Sequence, residues 1–453
     1  MIRQRGNSTV GYWLRATIFS CLVAQCFIGC QAPEEALERP PNVLLIISDD
    51  QAYTDYGFMG HPDIETPRLD ALAEQSLTFT RGYVTAPLCS PSLASLITGL
   101  YAYQHGITGN DPSFDFEGNR YGDEWRRTRV PFYDTLKQRF YKNKLLTQYL
   151  GDQGYRSMQT GKWWLGSWKE GHFDAGMTHG DPSRGGRHGD DGLVIGREGL
   201  QPVYDFVQES QAQEAPFFIW YAPFLPHAPH TPPDSLLEKY MERTDSEALA
   251  RYYAMCEWFD HTCGALIDFL RAEGLDEETL VIYTSDNGWI QRPDVINRYA
   301  PRSKRSPYEG GIRTPLMLHW PGNIDAKLDR QTQVSNIDIV PTILSACDVT
   351  YDQLPGINLL NTQVREDRKT IFAEVFDHDI VDVQQPNESL QYRIALQYPW
   401  KLILPNLDYL EEAPAELYDL SKDKSEMTNL AAQEDDHVEA LTQLLDDWWA
   451  GPE

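Results

Sequence analysis

Four residues with oxygen-donor side chains follow two apolar runs of the chain. Asp49 and Asp50 come directly after one run, and Asp286 and Asn287 follow the other after a single serine. Carboxylate and amide oxygens are ligands that Ca²⁺ and Mg²⁺ both take in proteins. Acids after one strand often only cap the next helix, but two matched sets indicate a shared ion. The sequence therefore predicts a divalent metal site.

The apolar runs themselves predict the fold that positions these residues. Residues 42–47, 216–222 and 279–284 are continuous apolar runs, typical of strands that are buried on both faces of a parallel sheet. A long helical pattern at 246–273 lies between the last two. Alternating strands and helices predict an α/β fold with a doubly wound, mostly parallel sheet, in which functional residues gather beyond the carboxyl ends of the strands.

The chain changes character from about residue 369. Short strand patterns and a final amphipathic helix pattern follow, at 370–376, 392–396, 401–404 and 438–449. They predict a small C-terminal α+β subdomain. The expected organisation is a signal segment at 1–30, a large α/β domain at 41–368 and the subdomain at 369–453.

The first thirty residues have the composition of an export signal. Residues 1–15 carry three arginines and no acid, and 16–29 form an apolar run too short to span a membrane comfortably. The ending Ile28-Gly29-Cys30 resembles a bacterial lipobox, which implies cleavage before Cys30 and lipid attachment there. An ordinary signal peptide with an incidental Cys30 is the alternative. Either way, we expect export, with the periplasm or cell envelope as the location.

Charge and cysteine content exclude several classes of protein. The net charge of −28 argues against a nucleic-acid partner, which would favour a basic surface. Any anion must then bind in a local cationic pocket. Cys256 and Cys263 lie in one helical pattern about 10 Å apart along its axis, too far for a disulfide. The other cysteines show no disulfide scaffold and no zinc spacing.

Seven motifs in order resemble the formylglycine-dependent sulfatases of the alkaline phosphatase superfamily. They span residues 41 to 432 and read NVLLIISDDQ at 42–51, CSPSLASLITGLY at 89–101, GKWWLG at 161–166, PHAPH at 226–230, TSDNG at 284–288, YEGGIRTP at 308–315 and ELYDLSKDKSEMTNLA at 416–431. Each motif is weak alone, and their order makes the resemblance specific. It implies that 41–368 is a sulfatase catalytic domain.

The resemblance also implies a role for each matching residue. The residues that would bind one divalent cation, usually Ca²⁺, are Asp49, Asp50, Cys89, Asp286 and Asn287. Cys89 would be oxidised to formylglycine, whose hydrated aldehyde attacks sulfur and releases the alcohol. The sulfate would be contacted by Lys162, His227 and Lys304, with His227 as the acid for the leaving oxygen.

Two departures from the family pattern affect Cys89. Leu93 stands where the family's Cys-x-Pro-x-Arg motif has arginine, and Trp164 stands where Gly-Lys-Trp-His has histidine. Either Cys89 is not converted, or this subgroup handles the nucleophile differently. Unmodified Cys89 is one alternative nucleophile and Ser90 a weaker one. Cations from the loop at 171–192 could replace the missing groups, namely Arg184, Arg187 and His188.

Three functions remain in view from the sequence. The leading one is metal-dependent hydrolysis of sulfate esters, on a sulfated carbohydrate, by an exported enzyme. The second is hydrolysis of phosphate or phosphonate esters, because the same cationic contacts would serve a phosphoryl group. The third is a non-catalytic lipoprotein that binds sulfated glycans.

Overall fold

The computed structural model describes residues 39–113, 123–180 and 188–449. The predicted signal segment with Cys30 lies outside these ranges. Residues Pro40–Glu453 form one compact unit. Within the described ranges, no helix is both long enough and apolar enough to cross a bilayer.

Strands and helices alternate along most of the chain. The strands are β1 (Asn42–Ser48), β2 (Leu77–Tyr83), β3 (Asp111–Pro112), β4 (Arg156–Gly161), β5 (Ala175–Gly176), β6 (Phe217–Ala222), β7 (Thr279–Ser285), β8 (Arg313–His319), β9 (Lys327–Ser335), β10 (Ile371–Phe376), β11 (Asp379–Ile380), β12 (Leu390–Gln397), β13 (Trp400–Pro405) and β14 (Glu416–Asp419). The helices are α1 (Pro67–Glu74), α2 (Cys89–Thr98), α3 (Ala102–His105), α4 (Asp123–Phe140), α5 (Leu146–Gly151), α6 (Gln201–Ala212), α7 (Asp234–Met241), α8 (Glu247–Ala272), α9 (Glu309–Ile312), α10 (Ile339–Ala346), α11 (Thr362–Asp367), α12 (Leu407–Leu410) and α13 (Asp435–Trp448).

The large sheet has eight strands in the order β5-β4-β6-β1-β7-β8-β2-β9. All neighbouring pairs are parallel except the two made by β8. β1 lies between β6 and β7, and every residue of it is buried. Its register pairs Ser48 with Ser285, so the residues that follow β1 and β7 begin at the same edge of the sheet. The predicted α/β fold with a mostly parallel sheet is confirmed.

One apolar core covers each face of this sheet. Val43, Leu45 and Ile47 of β1 face the core that includes α2, α5 and α10. Leu44 and Ile46 face the opposite core, which includes α1, α6 and α8. This two-sided burial explains the unbroken apolar sequence of the strand.

The predicted long helix is α8, which runs without interruption from Glu247 to Ala272. Cys256 and Cys263 are both buried in it as free thiols, so the expectation that they form no disulfide with each other is confirmed.

The C-terminal part contains a second, antiparallel sheet. Its four strands lie in the order β10-β12-β13-β14. Helix α13 packs on one face of it, with Leu441 and Leu445 against Leu402 and Leu417. The prediction of a small C-terminal α+β subdomain is therefore confirmed.

Candidate active site

A break in β1 brings the first two predicted metal ligands to the same side. Asp50 has a φ of 65°, a left-handed conformation that ends the regular alternation of side chains after Ser48. Its backbone N–H donates to Asp286 Oδ1 at 3.0 Å, and Asn287 Nδ2 donates to Asp50 Oδ1 at 2.7 Å. The four predicted oxygen donors thus meet at the carboxyl ends of β1 and β7.

Cys89 is the first residue of α2, and its side chain lies beside the residues that follow β1. The ligand atoms of Asp49, Asp50, Cys89 and His227 all lie within 4.8 Å of one another. All ten residues of α2 are buried, and Cys89 itself is 1% exposed. Burial raises the pKa of the Cys89 thiol to about 11, against the lowering effect of the lysines nearby.

Two buried lysines complete what we call the charged centre: Asp49, Asp50, Cys89, Lys162, His227, Asp286, Asn287 and Lys304. Lys162 Nζ donates to Asp49 Oδ1 at 2.7 Å and lies 3.7 Å from Asp286 Oδ2. Lys304 Nζ donates to both carboxylate oxygens of Asp50, at 2.6 and 2.8 Å, and to Cys89 Sγ at 3.0 Å. The structure brings together every site residue that the sequence predicted.

His227 is the member of the centre with the most open side chain. Its Nε2 lies 3.3 Å from Asp50 Oδ2, and 16% of the side chain is exposed. Burial lowers the pKa of His227 to about 3, so the free imidazole is neutral. Its Nδ1 faces the carbonyl of Ala228, which can only accept, so the ring proton belongs on Nδ1.

The pKa values of the three neighbouring carboxyl groups shift in different directions. Burial raises the pKa of Asp49, and it raises the pKa of Asp286 to about 8, with Asp49 adding to the effect. Burial acts the same way on Asp50, but Lys304, His227 and Lys162 outweigh it and hold that pKa below its ordinary value. Three carboxyl groups thus share two ammonium groups, those of Lys162 and Lys304.

Three buried oxygens of the centre have no hydrogen-bond partner among the described residues: Asp49 Oδ2, Asp286 Oδ2 and Asn287 Oδ1. A buried polar atom left unpaired costs about 1–3 kcal/mol. All three belong to predicted metal ligands, and all are hard oxygen donors, which suit Ca²⁺ or Mg²⁺. The residues present therefore fit a divalent cation, which would satisfy the three oxygens together.

The two departures from the family pattern are apolar in the structure as well. Leu93 is 1% exposed and Trp164 is 7% exposed, and both belong to the core on the α2 side of the sheet. The Trp164 ring packs edge-on against Phe140, with centroids 5.7 Å apart. Its Nε1 has no hydrogen-bond partner in the described part of the chain. Core packing thus occupies the two positions where the family carries polar groups.

Of the three predicted cations in the loop at 171–192, the structure describes only His188, which lies beside His227 of the centre. Arg184 and Arg187 lie outside the described residues. The His188 ring stands 5.9 Å from the His227 ring and is stacked on Phe224 at the same centroid distance. Its carbonyl accepts from Trp163 N at 2.9 Å, which ties the loop to the segment that carries Lys162.

Sequence reasoning missed a second group of polar residues beside the nucleophile. Asn110 Oδ1 accepts from Ser90 N at 3.0 Å, and Asn110 Nδ2 lies 3.5 Å from His378 Nε2. Arg305, next to Lys304, pairs with Asp377 at 3.1 Å. Only the position of Arg305 beside a predicted residue gave any signal, because β3 and β11, which flank this group, are two residues long.

Family models match most of the chain. Residues 41–349 match the Sulfatase family model, and residues 300–448 match the model of the N-sulphoglucosamine sulphohydrolase C-terminal region. Human arylsulfatase A is 29% identical over 392 residues, which cover 74% of this chain and 71% of that protein. N-acetylgalactosamine-6-sulfatase of Canis lupus familiaris is 29% identical over 363 residues, covering 71% of this chain and 66% of that protein.

A solved structure supports the fold over almost the whole length. The PsFucS1 sulfatase from Pseudoalteromonas sp. superposes with a TM-score of 0.68 at 20% identity and covers 90% of each chain. At this level of identity the likeness supports the architecture alone.

Proposed function

Because the chain belongs to the sulfatase family and is a sulfuric ester hydrolase, we propose that the charged centre holds Ca²⁺ and cleaves sulfate esters of a carbohydrate. The observation that carries the proposal is the set of three buried oxygens that lack hydrogen-bond partners among the described residues and lie beside Cys89 and two buried lysines. A carbohydrate substrate is supported by the similarity to N-acetylgalactosamine-6-sulfatase. Substrates of this class are sulfated sugars or small sulfated molecules.

The lysines supply the contacts to the sulfate group. A bound Ca²⁺ supplies positive charge that stabilises negative charge developing on the sulfate oxygens. Asp49 and Asp50, which now pair with Lys162 and Lys304, would hold such a cation. Each ammonium group is then free to turn toward a sulfate oxygen, in a site that excludes bulk water and so strengthens the contact.

His227 acts on the alcohol that leaves. With its proton on Nδ1, the neutral ring presents a bare Nε2 toward Asp50. The ring must therefore gain a second proton before it can donate one to the leaving oxygen. A sulfate ester brings a negative charge next to the ring, which favours the imidazolium form. We expect the substrate itself to prepare His227 as the acid.

The nucleophile is carried at position 89. Its Sγ accepts from Lys304 at 3.0 Å, and it opens a helix, whose N-terminus favours negative charge. Mass spectrometry of the peptide that contains Cys89, after expression with a formylglycine-generating enzyme, decides its form. The aldehyde would support formylglycine chemistry despite Leu93 and Trp164, and an intact thiol would assign the attack to Cys89 itself.

Matched esters test the reaction. We expect the purified protein with Ca²⁺ to hydrolyse 4-nitrophenyl sulfate or a sulfated monosaccharide faster than 4-nitrophenyl phosphate. Faster cleavage of the phosphate, or of a phosphonate ester, would contradict the proposal and assign the chain to the phosphoryl branch of the superfamily. Binding of sulfated glycans without turnover of any ester would identify a non-catalytic lectin-like protein.

Export and lipid attachment at Cys30 complete the proposal. Support comes from the basic start, the short apolar run and the Ile-Gly-Cys ending of the first thirty residues. In a bacterial host, the protein should fractionate with the cell envelope, and Cys30→Ser should release it into the soluble periplasmic fraction. A wild-type protein found in the cytoplasm would contradict export.

A further inference from the structure

We infer that Asn110, Arg305, Asp377 and His378, which we call the His378 wall, bind the sugar that carries the sulfate, and that His378 selects among sugars. This inference rests on the proposed function, because it concerns the alcohol part of the same substrate. The wall is separate from the charged centre, since none of its residues belongs to the predicted metal or sulfate contacts.

Differences in exposure show where the alcohol part of a substrate has to lie. In the charged centre, the side chains of Asp50 and Lys162 are each 1% exposed. In the wall, 26% of the His378 side chain and 37% of the Arg305 side chain are exposed. A sulfate group buried among the lysines must leave its alcohol in an open region, and the wall offers such a region next to Cys89.

Hydrogen bonds connect the wall to the nucleophile in two steps. Ser90 N, one residue after Cys89, donates to Asn110 Oδ1 at 3.0 Å. That bond fixes the orientation of the amide and turns Asn110 Nδ2 toward His378 Nε2, 3.5 Å away. Asn110 alone therefore links His378 to the helix turn that carries Cys89, which makes His378 a candidate contact for a sugar attached to the sulfate.

The chemistry of the wall suits hydroxyl groups. The His378 Nδ1 atom bonds Asp379 Oδ1 at 2.5 Å, which leaves Nε2 as an acceptor facing Asn110. The 3.5 Å contact between Nε2 and the amide is at the outer limit of a hydrogen bond. A sugar hydroxyl, which both donates and accepts, can replace this weak contact with two good ones.

A charged pair lies beside the histidine. Arg305 Nη2 bonds Asp377 Oδ1, at 3.1 Å, and the same carboxylate oxygen accepts from His378 N at 2.7 Å. Both partners of the pair are about one third exposed, so they offer a further donor and acceptor to a polar ligand. A purely apolar alcohol would gain nothing from this surface.

Backbone pairing holds the wall in place before any ligand binds. β11 pairs with β3, and Asn110 N donates to His378 O at 2.9 Å. The close approach needs Gly109, because a Cβ there would come within 2.7 Å of His378 O. Positions fixed in this way lower the cost of ordering a bound sugar.

The test compares one small aryl ester with sulfated sugars in the full-length protein with Ca²⁺. The probes are 4-nitrophenyl sulfate, N-acetylgalactosamine 6-sulfate, glucosamine 6-sulfate and galactose 6-sulfate. For the best sugar, His378→Ala should lower kcat/KM about tenfold, mainly by raising KM, because hydrogen bonds to the hydroxyls are lost. Hydrolysis of 4-nitrophenyl sulfate should stay within about twofold of wild type.

Two further variants separate recognition from folding. His378→Asn keeps a polar side chain and should restore part of the sugar activity. His437→Ala makes the same change in α13, where the ring packs on Trp400. It should change the hydrolysis of neither the aryl sulfate nor the sugar sulfates.

Equal losses on aryl and sugar sulfates, or no loss on either, would overturn the inference. Wild-type protein that cleaves 4-nitrophenyl sulfate but none of the sugars would also overturn it, while the sulfatase proposal would stand. Protein that is inactive on all four esters would contradict the proposed function, and the inference that rests on it would fail as well.

Discussion

Two of the buried charge clusters in the described part of the chain differ in how completely their atoms are hydrogen-bonded. The charged centre leaves three oxygens without hydrogen-bond partners among the described residues. The second cluster, which we call the inner ion cluster, consists of Glu309, Arg313, Lys401 and Glu426. Lys401 is 0% exposed and bonds Glu426 at 2.7 Å and Glu309 at 3.3 Å. Within the described residues, no side-chain atom of this second cluster lacks a partner.

The inner ion cluster joins the two sheets of the molecule. Glu309 opens α9, directly before β8 of the large sheet, while Lys401 belongs to β13 of the C-terminal sheet. Glu309 N donates to Glu426 Oε2, and Arg313 extends the network to Thr80 O. A buried ion pair holds its partners only when its remaining hydrogen bonds are made. In the charged centre, several carboxylate and amide oxygens without hydrogen-bond partners lie together, whereas the inner ion cluster has none among the described residues.

The largest effect is expected in the inner ion cluster. Lys401→Met leaves the buried Glu426 carboxylate without its cationic partner and leaves Glu309 with Arg313 alone, which should lower the free energy of unfolding by about 3–5 kcal/mol. Activity per folded molecule should stay near wild type. Denaturant unfolding measures the first quantity and active-site-normalised kinetics the second.

Lys422→Met is the matched control for this change. Lys422 belongs to the same subdomain and pairs with Asp419, but its side chain is 82% exposed. We expect a stability change within about 0.5 kcal/mol. Equal losses from both variants would show that burial in the cluster is irrelevant to stability.

The second effect is the opposite pattern in the charged centre. Asp286→Ala should lower kcat/KM by about 10²–10³, because the proposed cation, which would stabilise transition-state charge, loses one of its ligands. The free energy of unfolding without Ca²⁺ should change little, because relief of the crowding among the three carboxyl groups offsets the lost hydrogen bond from Asp50 N. Kinetics and unfolding in a chelator give the two numbers.

Asp294→Ala controls for the loss of an acid as such. Asp294 pairs with Arg292 on the surface, where its side chain is 59% exposed. Its loss should affect neither activity nor stability. If the Asp286→Ala protein is as active as this control, Asp286 is not a ligand of the metal.

The smallest effect concerns the ion itself. Free Ca²⁺ at about a hundred times its dissociation constant should stabilise the wild type by about 2.7 kcal/mol, and a chelator should remove that gain. Lys401→Met should keep the same increment, because Lys401 is not part of the proposed metal site. A Ca²⁺-dependent shift in Tm that is undiminished in Asp286→Ala would place the ion elsewhere.

The parts of the fold that the sequence predicts are those with strong periodicity. β1, β7 and α8 are long and buried, so their patterns are unmistakable. β9 has mostly polar residues because it lies at the sheet edge, and it shows no strand pattern. Pairing with β2, rather than its own sequence, makes it a strand.

The site divides in the same way. The proposed metal ligands were predictable because residues that follow neighbouring parallel strands lie at the same edge of the sheet, and Asp49 and Asp286 follow adjacent strands. Asn110 and His378 are 268 residues apart in sequence and meet only through the two-residue pairing of β3 with β11. Contacts made by such short elements leave no periodic trace that a single sequence can reveal.

The burial of Cys89 also limits when during folding an enzyme could modify its side chain. With 1% of its surface exposed, the folded protein offers this side chain to no other macromolecule. Modification must therefore occur while the chain is still open, and the fold itself prolongs that interval. Residues of β1 find their partners in β7 about 240 positions later, and sheets with such distant pairings close slowly. If Cys89 is modified, slower closure gives the modifying enzyme longer to act before β1 pairs with β7.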